Sequence, residues 1–598
     1  MYSLSLFPLI TRPTRINAHG ATLIDNIFTN VLNNMTSGIL INDISDHLPV
    51  LAQFDIQQKS NKNKSNTMVK NVRLTSDRSI NALNQSLSDQ DWNNVLGEQD
   101  VNIAYANFVN TIKQLYDQHC PLVTRKYTQT NKCVPWMTRG LLNACKKKNS
   151  LYKIFISKKT LETETKYKKY KNKLTSIIKK CKRSYYRNMI EANKNTMKGL
   201  WKVLNQAISK NSKTASYPDY MIKNDEKITE GKNIVNAFND YFVNIGPHLA
   251  SKIAKTNNDA TKYKNINAHS FFLKATNENE VIKIVKAFKN KKSTDWNDFD
   301  MTMIKKVIQN ISVPLTHICN LSFSTGEFPN HMKIAKVVPI YKSGDNHLFT
   351  NYRPISILPQ LSKILEKLFA ARLDSFINKY NLLSDCQYGF RNNRSTAHAL
   401  INLTEEVTNH IDNKLYSLGI FIDLQKAFDT IDHKILLNKL QNNGIRGIAN
   451  NWLKSYLTER KQYVQIEEHV SGWRNITCGV PQGSILGPQL FLLYINDLCE
   501  VSTKLKFILF ADDTTILCSS KDLQLLISEV TTELHKLKEW FNRNKLSLNI
   551  LKTKMILFGK RNSKVQIKIN IENTQIEQVK EYTFLGVIFN HEVSWRPH

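Results

Sequence analysis

The 598-residue sequence lacks several features that would place a protein in a membrane or outside the cell. No apolar run approaches the roughly 18 residues that a membrane-spanning helix needs. The N-terminal segment Met1–Ile10 is mildly apolar, but it has neither a basic stretch nor a small-residue cleavage site. The nine cysteines include no C-x-x-C pair, which argues against a zinc ribbon and against a disulfide framework. The sequence therefore predicts an intracellular protein, nuclear or cytoplasmic, that is not secreted and has no membrane partner.

Acidic residues are scarce relative to basic ones. There are 50 aspartates and glutamates against 83 lysines and arginines, which gives a formal net charge of +33 at pH 7. A polyanion is the natural partner of such a chain, because lysines and arginines displace condensed counterions from phosphates. A second interpretation stays open, since an excess of lysine and asparagine is also typical of an A/T-biased genome. The 41% of hydrophobic residues suffices for a sizeable core and excludes wholesale disorder.

The positive charge is concentrated in residues 139–210. This stretch holds 21 lysines and arginines but three acidic residues, and it has no proline or glycine between Leu141 and Met197. Apolar and aromatic residues recur along it at helical spacing, so we expect one long helix. A basic helix with tyrosines suits binding to a nucleic-acid backbone and stacking on bases. The alternative is a solvated helical linker whose tyrosines pack on a neighbouring helix.

Three segments combine apolar runs with acidic or flexible residues. The first, Leu418–Asp429, runs through apolar residues into Asp423, as a buried strand with an acid at its end would. The second, Gly479–Pro488, is a loop rich in glycine and proline. The third, Phe507–Leu517, has two apolar strands around Asp512–Asp513, at the position where a hairpin turns.

Two helices are predicted next to these segments. One covers residues 433–442, with Asp432 as its N-cap and Gly444 as its stop. The other is the apolar stretch 489–498, which follows the glycine-rich loop.

The acidic residues favour phosphoryl transfer. Taken alone, an Asp-Asp pair is often a turn and a single aspartate often caps a helix, so the argument rests on their combination and order. Phosphoryl transfer uses two Mg²⁺ ions roughly 3.5–4 Å apart, and Mg²⁺ prefers carboxylate oxygens. Asp423 and Asp512 can meet only if their strands are neighbours. Because successive side chains on a strand point to opposite faces, we expect Asp512 rather than Asp513 to be the main partner of Asp423.

The order of these segments resembles the reverse transcriptase motifs of non-LTR retrotransposons. Phe421–Asp429 is similar to the first catalytic motif of that family, Pro481–Gly483 to its nucleotide-pocket loop and Phe510–Asp513 to its Asp-Asp box. The family often has an Asp-Gly pair in a segment before the fingers, where this chain has Asn297–Asp298. Two fingers motifs, a fourth palm motif and a primer grip extend the resemblance over residues 278–598: Asn351–Leu358, Gln387–Thr396, Asn549–Lys554 and Phe584–Gly586.

The resemblance implies an RNA-directed DNA polymerase that adds dNMP to a primer 3′-hydroxyl. Its partners would be an RNA template, a DNA primer and dNTPs, while protein partners are not indicated. Asp423, Asp512 and Asp513 would form the triad that binds two Mg²⁺ ions, with Mn²⁺ as an alternative. Lys552 would protonate the pyrophosphate leaving group.

The same resemblance implies contacts to the incoming nucleotide and to the primer. The ring of Phe428 would exclude a ribose 2′-hydroxyl, and Lys342 and Arg353 would hold the triphosphate. For these two cations and for Lys552, ordinary surface charge is the alternative. The nucleotide-binding positions implied by the family are Lys342, Arg353, Leu424, Phe428, Gln482 and Gly483. The primer grip corresponds to Phe584, Leu585 and Gly586.

A short N-terminal segment resembles the C-terminal end of the metal-dependent endonuclease that precedes the polymerase in many such elements. The matching pieces are Leu23–Phe28 and Ser45–Pro49. His47 matches a histidine that contacts the scissile phosphate, Asp25 the acid that orients it and Asp46 an acid near the metal. A strand and a turn without function are the alternative. The family's other ligands do not fit before Asp25, and the chain ends soon after the primer grip, so we expect a truncated reading frame and no DNA nicking.

Together these patterns predict an α/β fold: a right-hand polymerase palm and fingers with an antiparallel sheet and helices, preceded by a helical basic arm and a partial endonuclease sandwich. The rivals are a group II intron maturase or telomerase-like protein and a catalytically dead, nucleic-acid-binding relic. The expected segments are an endonuclease remnant (1–55), a polar linker (56–80), a lysine-rich helical arm (81–253), a second linker (254–277), fingers and palm (278–590) and the start of a truncated thumb (591–598).

Overall fold

The computed structural model divides the chain into two compact units. Unit 1 comprises residues 1–72 and 123–216, and unit 2 comprises residues 73–122 and 217–598. The structure describes residues 6–17, 20–30, 35–42, 47–54, 67–128, 134–208, 217–253, 266–562 and 565–594.

The α-helices of the described residues are numbered in chain order. Their bounds are α1 (Asp77–Ser88), α2 (Asn93–Leu96), α3 (Val101–His119), α4 (Arg139–Lys158), α5 (Leu161–Ala192), α6 (Met197–Ala207), α7 (Gly231–Ser251), α8 (Glu278–Ala287), α9 (Met301–Thr325), α10 (Gln360–Lys379), α11 (Thr396–Asp412), α12 (His433–Asn442), α13 (Ile448–Leu457), α14 (Leu486–Ile495) and α15 (Leu523–Arg543). Among these helices, none combines the length and the apolar character needed to cross a bilayer.

The β-strands are numbered in the same way. Their bounds are β1 (Phe7–Pro8), β2 (Arg15–Asn17), β3 (Gly20–Thr22), β4 (Phe28–Thr29), β5 (Met35–Ile39), β6 (Val50–Phe54), β7 (Thr67–Arg73), β8 (Leu122–Thr128), β9 (Met221–Lys223), β10 (Glu226–Ile228), β11 (Ile334–Tyr341), β12 (Tyr352–Ile357), β13 (Tyr416–Ile422), β14 (Arg460–Ile466), β15 (His469–Val470), β16 (Arg474–Ile476), β17 (Lys506–Phe510), β18 (Asp513–Ser520), β19 (Lys554–Phe558), β20 (Asn570–Ile571), β21 (Thr574–Gln575), β22 (Glu577–Gln578), β23 (Glu581–Phe584) and β24 (Val587–Asn590).

The basic stretch of unit 1 forms three helices, α4, α5 and α6, rather than the single helix predicted. The first break lies at Lys159, whose φ of 51° is left-handed, and Thr160 then caps α5 by accepting a hydrogen bond from the N–H of Thr163 at 3.4 Å. Neither residue is proline or glycine, so composition gave no sign of the break. Tyr152 and Tyr167 are buried, with ring centroids 5.1 Å apart, and join α4 to α5. These two tyrosines therefore pack between helices, as the linker interpretation predicted.

The N-terminal strands of unit 1 form small antiparallel pairs: β1 with β4, β2 with β3 and β5 with β6. In the described residues these pairs are separate two-stranded sheets. The predicted sandwich is therefore not confirmed.

Unit 2 begins with α1–α3, which pack on α9 and contribute to its core. Tyr116 on α3 meets Phe299 edge to face at 6.0 Å, and Asn310 on α9 donates a hydrogen bond to the carbonyl of Asn84 on α1. The predicted arm, 81–253, is therefore divided between the two units. The physical reason is that the apolar faces of α1 and α3 are buried in the core that also contains α9.

The central sheet of unit 2 has the strand order β17-β18-β13-β19-β22. Strand β13 runs antiparallel to both of its neighbours, with Ile422 opposite Thr514 of β18, whereas β19 and β22 are parallel. A second five-stranded sheet has the order β12-β11-β14-β15, with β16 also paired to β14 and with β11 parallel to β14. Both sheets are thus mixed rather than purely antiparallel, and the α/β class is confirmed.

The helix predicted after the first acidic segment is confirmed. Helix α12 begins after Asp432, whose side chain accepts a hydrogen bond from the N–H of Ile435 at 3.0 Å, and Gly444 follows it with a φ of 93°.

The helix after the glycine-rich loop begins earlier than predicted, at Leu486, and a 3₁₀ turn continues from its end. The N–H groups of Ile485 and Leu486 both donate to the buried carboxylate of Glu366 on α10, at 2.7 and 3.3 Å. A side chain distant in sequence therefore caps this helix, which the local pattern did not reveal.

The turn at Asn297–Asp298 forms without the glycine that the family often has. Asp298 adopts a left-handed φ of 64°. The buried carboxylate of Asp295 accepts hydrogen bonds from the N–H groups of Asn297, Phe299 and Gln360, at 2.9, 3.1 and 2.8 Å. Burial raises the pKa of Asp295 to about 6 despite these hydrogen bonds.

Two cysteines form a disulfide, although the sequence argued against a disulfide framework. Cys386 and Cys499, 113 residues apart in the chain, are linked by a disulfide in the structure. Their spacing gave no sign of the pairing, which is created by the fold.

Candidate active site

The three predicted catalytic aspartates lie at the ends of neighbouring strands. Asp423 directly follows β13, and Asp513 begins β18, with Ala511 and Asp512 in the turn that precedes it. Because β13 and β18 are hydrogen-bonded neighbours, Asp423 and Asp512 line the same cleft. Asp513 lies outside the lining of this cleft and near Tyr582, whose pKa is raised chiefly by burial and in part by the charges of Asp513 and Asp423.

Asn549 fixes the first of these acids. Its side-chain Nδ2 donates to Oδ2 of Asp423 at 2.8 Å, and its backbone N–H donates to the carbonyl of Asp423 at 2.8 Å. The N–H of Asp423 also donates to the hydroxyl of Thr553 at 3.4 Å. The segment that leads into β19 therefore holds both the backbone and the carboxylate of Asp423.

The carboxylates repel one another. Burial raises the pKa of Asp512, and the negative charge of Asp423 adds to this rise, while the cations Arg353 and Lys342 oppose it. Burial together with the charges of Asp512 and Asp423 raises the pKa of Asp513 to about 6. A bound cation would relieve this repulsion.

The donor set suits a hard divalent cation, since carboxylate oxygens are the ligands that Mg²⁺ prefers. Asp423 and Asp512 supply such oxygens to one cleft. Within the described ranges, no group of three or more His, Cys, Asp or Glu side chains is already arranged to hold a metal ion.

The cleft has a volume of about 730 Å³ and brings most of the predicted nucleotide-contacting residues together. The residues predicted from the motifs that line it are Lys342, Arg353, Asp423, Leu424, Phe428, Gln482, Gly483, Asp512 and Lys552. They come from the two sheets, the glycine-rich loop and the segment before β19, so the fold collects motifs that are far apart in sequence.

Cations occupy one part of this cleft. Lys342, Arg353 and Lys552 are exposed, and in the described part of the chain none of them forms an ion pair. Lys426 joins them: burial lowers its pKa, Asp429 opposes that effect, and the charges of the three other cations lower the pKa further. The sequence motifs gave Lys426 no role, although it lies between Asp423 and Phe428 in the first motif.

The loop Pro481–Gly483 is fixed against β12. The N–H of Ser356 donates to the carbonyl of Gln482 at 2.9 Å. Gly483 has a φ of 126°, and a Cβ at this position would lie 2.5 Å from the carbonyl oxygen of Ser356. A side chain at Gly483 is therefore excluded by both its conformation and the close approach of β12.

Gln482 is oriented by Asp429, a residue for which the motifs suggested no role. Its Nε2 donates to both carboxylate oxygens of Asp429, at 2.8 and 2.9 Å. Burial raises the pKa of Asp429 to about 6, although the hydrogen bond from Gln482 and the charge of Lys426 lower it. The first motif and the glycine-rich loop are thus joined by a buried polar contact.

Phe428 packs between two rings. It stacks on Phe491 of α14 with centroids 4.6 Å apart, and Phe390 meets it edge to face at 6.4 Å. The stacking on α14 holds the ring in place where it lines the cleft.

The predicted primer grip is a tight hairpin. Phe584 ends β23, while Leu585 and Gly586 form the turn with φ values of 48° and 86°. Phe584 is buried, and its ring lies 5.7 Å from that of Phe421 on β13. The hairpin is therefore attached to the strand that carries Asp423, while Leu585 and Gly586 do not line the cleft.

The N-terminal candidates form a pair in unit 1. His47 Nδ1 lies 2.8 Å from Oδ2 of Asp25, and this hydrogen bond, followed by one from Thr14, lowers the pKa of the Asp25 carboxyl. The N–H of Asp25 donates to the buried hydroxyl of Thr14 at 3.0 Å. Asp46, the third residue predicted there, lies outside the described residues.

Comparisons with known proteins agree with these motifs. Residues 340–589 match the family model for the reverse transcriptase (RNA-dependent DNA polymerase). The chain is 31% identical over 328 residues to the probable RNA-directed DNA polymerase from transposon BS of Drosophila melanogaster. This alignment covers 53% of this chain and 36% of that protein. The chain is 29% identical over 292 residues to the RNA-directed DNA polymerase from mobile element jockey of the same species, covering 48% and 32%.

A third relative is more distant. The chain is 27% identical over 243 residues to the retrovirus-related Pol polyprotein from type-1 retrotransposable element R2 of Popillia japonica, covering 38% of this chain and 32% of that protein. The chain thus spans about a third of the length of the curated relatives it matches. The matched segment contains the cleft with Asp423 and Asp512, and this part of the chain is similar to the reverse transcriptases of non-LTR retrotransposons.

Proposed function

We propose that the matched domain is the palm and fingers of an RNA-directed DNA polymerase. In this reaction the primer 3′-oxygen bonds to the α-phosphorus of a dNTP, the bond from that phosphorus to the bridging oxygen breaks, and pyrophosphate leaves. The observation that carries the proposal is the convergence of Asp423 and Asp512 with Lys342, Arg353 and Lys552 around one cleft. Acids for metal ions and cations for phosphates are the two requirements of phosphoryl transfer.

Asp423, Asp512 and Asp513 would hold two Mg²⁺ ions, or Mn²⁺ in their place. Bound there, the ions would lower the pKa of the primer hydroxyl and neutralise charge on the phosphates. Asn549 orients the carboxylate of Asp423 through its 2.8 Å hydrogen bond. Asp512 is the main partner of Asp423 in this assignment, because both line the cleft.

The cations would bind the triphosphate. Lys342 and Arg353 flank the cleft from the side of β11 and β12, and Lys552 from the segment before β19. Lys552 would donate a proton to the pyrophosphate as it leaves. Lys426 adds a fourth positive charge, held close to the others.

Phe428, Leu424, Gln482 and Gly483 would surround the sugar and base of the incoming nucleotide. The ring of Phe428, supported by Phe491, would reject a ribose 2′-hydroxyl by steric exclusion. Gly483 would permit close approach because it has no side chain. The hairpin of Phe584, Leu585 and Gly586 would position the primer strand.

The basic helices of unit 1 would bind the RNA template. Part of α5 presents Lys179, Lys180, Arg183 and Arg187 along one shallow cleft of about 750 Å³. Cations in such a row track a phosphate backbone. We also propose that the protein acts inside the cell, in the nucleus or the cytoplasm, where RNA is available.

Residues 1–55 would derive from the C-terminal part of an endonuclease. The support is the 2.8 Å contact between His47 and Asp25, which is the pairing expected of a histidine oriented by an acid. Incubation with supercoiled plasmid and Mg²⁺ tests whether any nicking activity accompanies it. We expect no nicking, and nicking that is lost in His47→Ala would contradict this.

The experiment that tests the polymerase proposal is primer extension with the purified chain. We expect dNMP incorporation that requires an annealed RNA template, all dNTPs complementary to it and a divalent cation. Incorporation on homopolymer RNA with the matching dNTP alone would identify template-directed synthesis. Tight binding of the primer–template with no incorporation at saturating Mg²⁺ or Mn²⁺ would contradict the proposal and favour a nucleic-acid-binding relic.

A further inference from the structure

The turn that presents Asp512 contains a residue in an unfavourable conformation. Ala511 has a φ of 57°, in the left-handed region that residues other than glycine seldom adopt. It is also buried, at 4% exposure. A conformation of this kind persists only when the surrounding structure imposes it.

A short segment, Cys386–Gly389, lies along the strand that leads into this turn. We call it the strap. The N–H of Leu509 on β17 donates to the carbonyl of Cys386, and the N–H of Tyr388 donates to the carbonyl of Leu509, both at 2.8 Å. The two segments run parallel, with Gln387 opposite Leu509. Because β17 is the edge of the central sheet, the strap covers that edge directly beside the catalytic turn.

The side chain of Gln387 reaches the turn itself. Its Oε1 accepts hydrogen bonds from the N–H of Ala511 at 3.0 Å and from the N–H of Gly389 at 2.7 Å. Both partners are donors, so the oxygen rather than the amide nitrogen must face them. Gln387 is 2% exposed, and its Nε2 has no partner in the described part of the chain. The contact to Ala511 is therefore made in a buried environment.

Gly389 allows the strap to come this close. A Cβ at this position would lie 2.4 Å from the backbone nitrogen of Ala511 and 3.0 Å from the carbonyl carbon of Phe510. These contacts are with backbone atoms, which cannot move aside as a flexible side chain would. The approach of the strap and the position of the turn are therefore coupled.

We propose that Gln387 is a positioning residue for polymerisation, which fixes Ala511 in its left-handed conformation and thereby sets Asp512 beside Asp423. This rests on the proposed function only for its catalytic consequence, because the contact itself is independent of activity. Gln387 touches neither substrate nor reacting atoms in this assignment and acts through the backbone of Ala511.

The contact is tested by hydrogen exchange of the backbone amides in the full chain. Gln387→Met keeps a side chain of similar length but removes the acceptor. Exchange in peptides that cover residues 508–513 should become faster. Gln578→Met is the control, since the side-chain oxygen of Gln578 likewise accepts from a backbone N–H, that of Ile567, although its amide nitrogen donates to the carbonyl of Val565. It should leave these peptides unchanged, and unaltered exchange in Gln387→Met would overturn the proposal.

The catalytic consequence is tested by single-nucleotide incorporation. Misplacement of a catalytic group by about 1 Å can cost about 100-fold, so Gln387→Met should lower kcat by about 10- to 100-fold with little change in the KM for dNTP. Ala511→Gly added to Gln387→Met should restore much of this rate, because glycine adopts the left-handed conformation without support. A rate reduction that Ala511→Gly does not rescue, or one equal to that of Gln578→Met, would overturn the positioning role. Faster exchange in Gln387→Met, together with no nucleotide incorporation by the wild-type chain, would instead contradict the polymerase proposal and leave the contact established.

Discussion

The ring of Phe428 lines the cleft next to Asp423 and is held by stacking on Phe491. If it rejects ribonucleotides by steric exclusion, Phe428→Ala should admit the 2′-hydroxyl and harm dNTP turnover less. We expect the ratio of rNTP to dNTP incorporation to rise by about 10- to 100-fold. Competition assays with matched rNTP and dNTP on one template measure the ratio directly.

The matched control for this substitution is Phe390→Ala. Phe390 touches Phe428 from the side but does not line the cleft. Its removal should leave sugar selection unchanged. An equal change in both variants, or no change in Phe428→Ala, would mean that Phe428 has only a packing role.

Burial of the Asp429 carboxyl makes the stability of the folded protein depend on pH. Its pKa is raised from 3.8 to about 6, chiefly by burial. The folded protein therefore keeps this proton up to about pH 6, while the unfolded chain loses it near pH 4. The unfolded state binds fewer protons between these values, so the contribution of Asp429 to stability falls as the pH rises through this window. A difference of about two pKa units corresponds to at most about 3 kcal/mol.

Asp429→Asn removes this titration and keeps an oxygen that can accept from Gln482. We expect the Tm of the variant to exceed that of the wild type at pH 7 and the two values to converge near pH 4. Thermal unfolding across that range is the measurement. A Tm difference that does not vary with pH would show that Asp429 is not the titrating group.

At the scale of elements, the sequence predicted the parts whose signals are local. The apolar run into Asp423, the two strands around Asp512 and the cap at Asp432 all appear where their patterns placed them. The start of α14 at Leu486 was missed because its N–H groups are satisfied by Glu366, about 120 residues away. The roles of Lys426, Asp429 and Gln387 were missed for the same reason, since their contacts exist only after the sheets and loops are assembled.

Helix α5 combines a buried stripe with an exposed basic one. We define the basic stripe as Lys179, Lys180, Arg183 and Arg187, which line one cleft. Replacing all four by glutamine should weaken RNA binding. For each phosphate that is no longer neutralised, the slope of the logarithm of the binding constant against the logarithm of the salt concentration should become shallower by roughly 0.7–0.9. If each of the four cations contacts one phosphate, the magnitude of the slope should fall by about 3 to 4. Filter-binding or anisotropy titrations at several salt concentrations provide the slopes.

A control variant that loses the same amount of positive charge tests whether the position of the cations on α5 matters for RNA binding. The control variant replaces four other cations of α5 by glutamine: Lys166, Lys168, Lys169 and Lys173. We expect its slope to change less than that of the basic-stripe variant. Identical slopes for the wild type and the basic-stripe variant would favour a plain helical linker.

At the scale of the whole molecule, unit 2 is discontinuous in sequence. The two ends of its first segment, residues 73–122, lie next to each other, because the N–H of Leu74 donates to the carbonyl of Pro121 at 3.1 Å. This segment also supplies buried residues of the main core, such as Phe108 and Ile112. Removing it should expose the apolar face of α9, whereas removing unit 1 should not.

Two truncated proteins test this division. One replaces residues 123–216 by a short flexible linker and begins at residue 73, and we expect it to fold and incorporate nucleotides with weaker RNA binding. The other begins at residue 217, and we expect it to aggregate or to lack a cooperative unfolding transition. Equal solubility and equal Tm for the two would contradict the assignment of α1–α3 to the core of unit 2.

The central claim is that Asp423 and Asp512, brought together by neighbouring strands, form the metal-dependent polymerase centre. The most direct test is single-turnover incorporation on a primer annealed to RNA, with binding of the same primer–template measured in parallel. Asp423→Asn and Asp512→Asn should each abolish incorporation at saturating Mg²⁺ while binding changes little, because phosphate contacts elsewhere supply the affinity. Asp432→Asn, which keeps the cap of α12, should incorporate like the wild type. Undiminished incorporation by Asp423→Asn or Asp512→Asn would contradict the account.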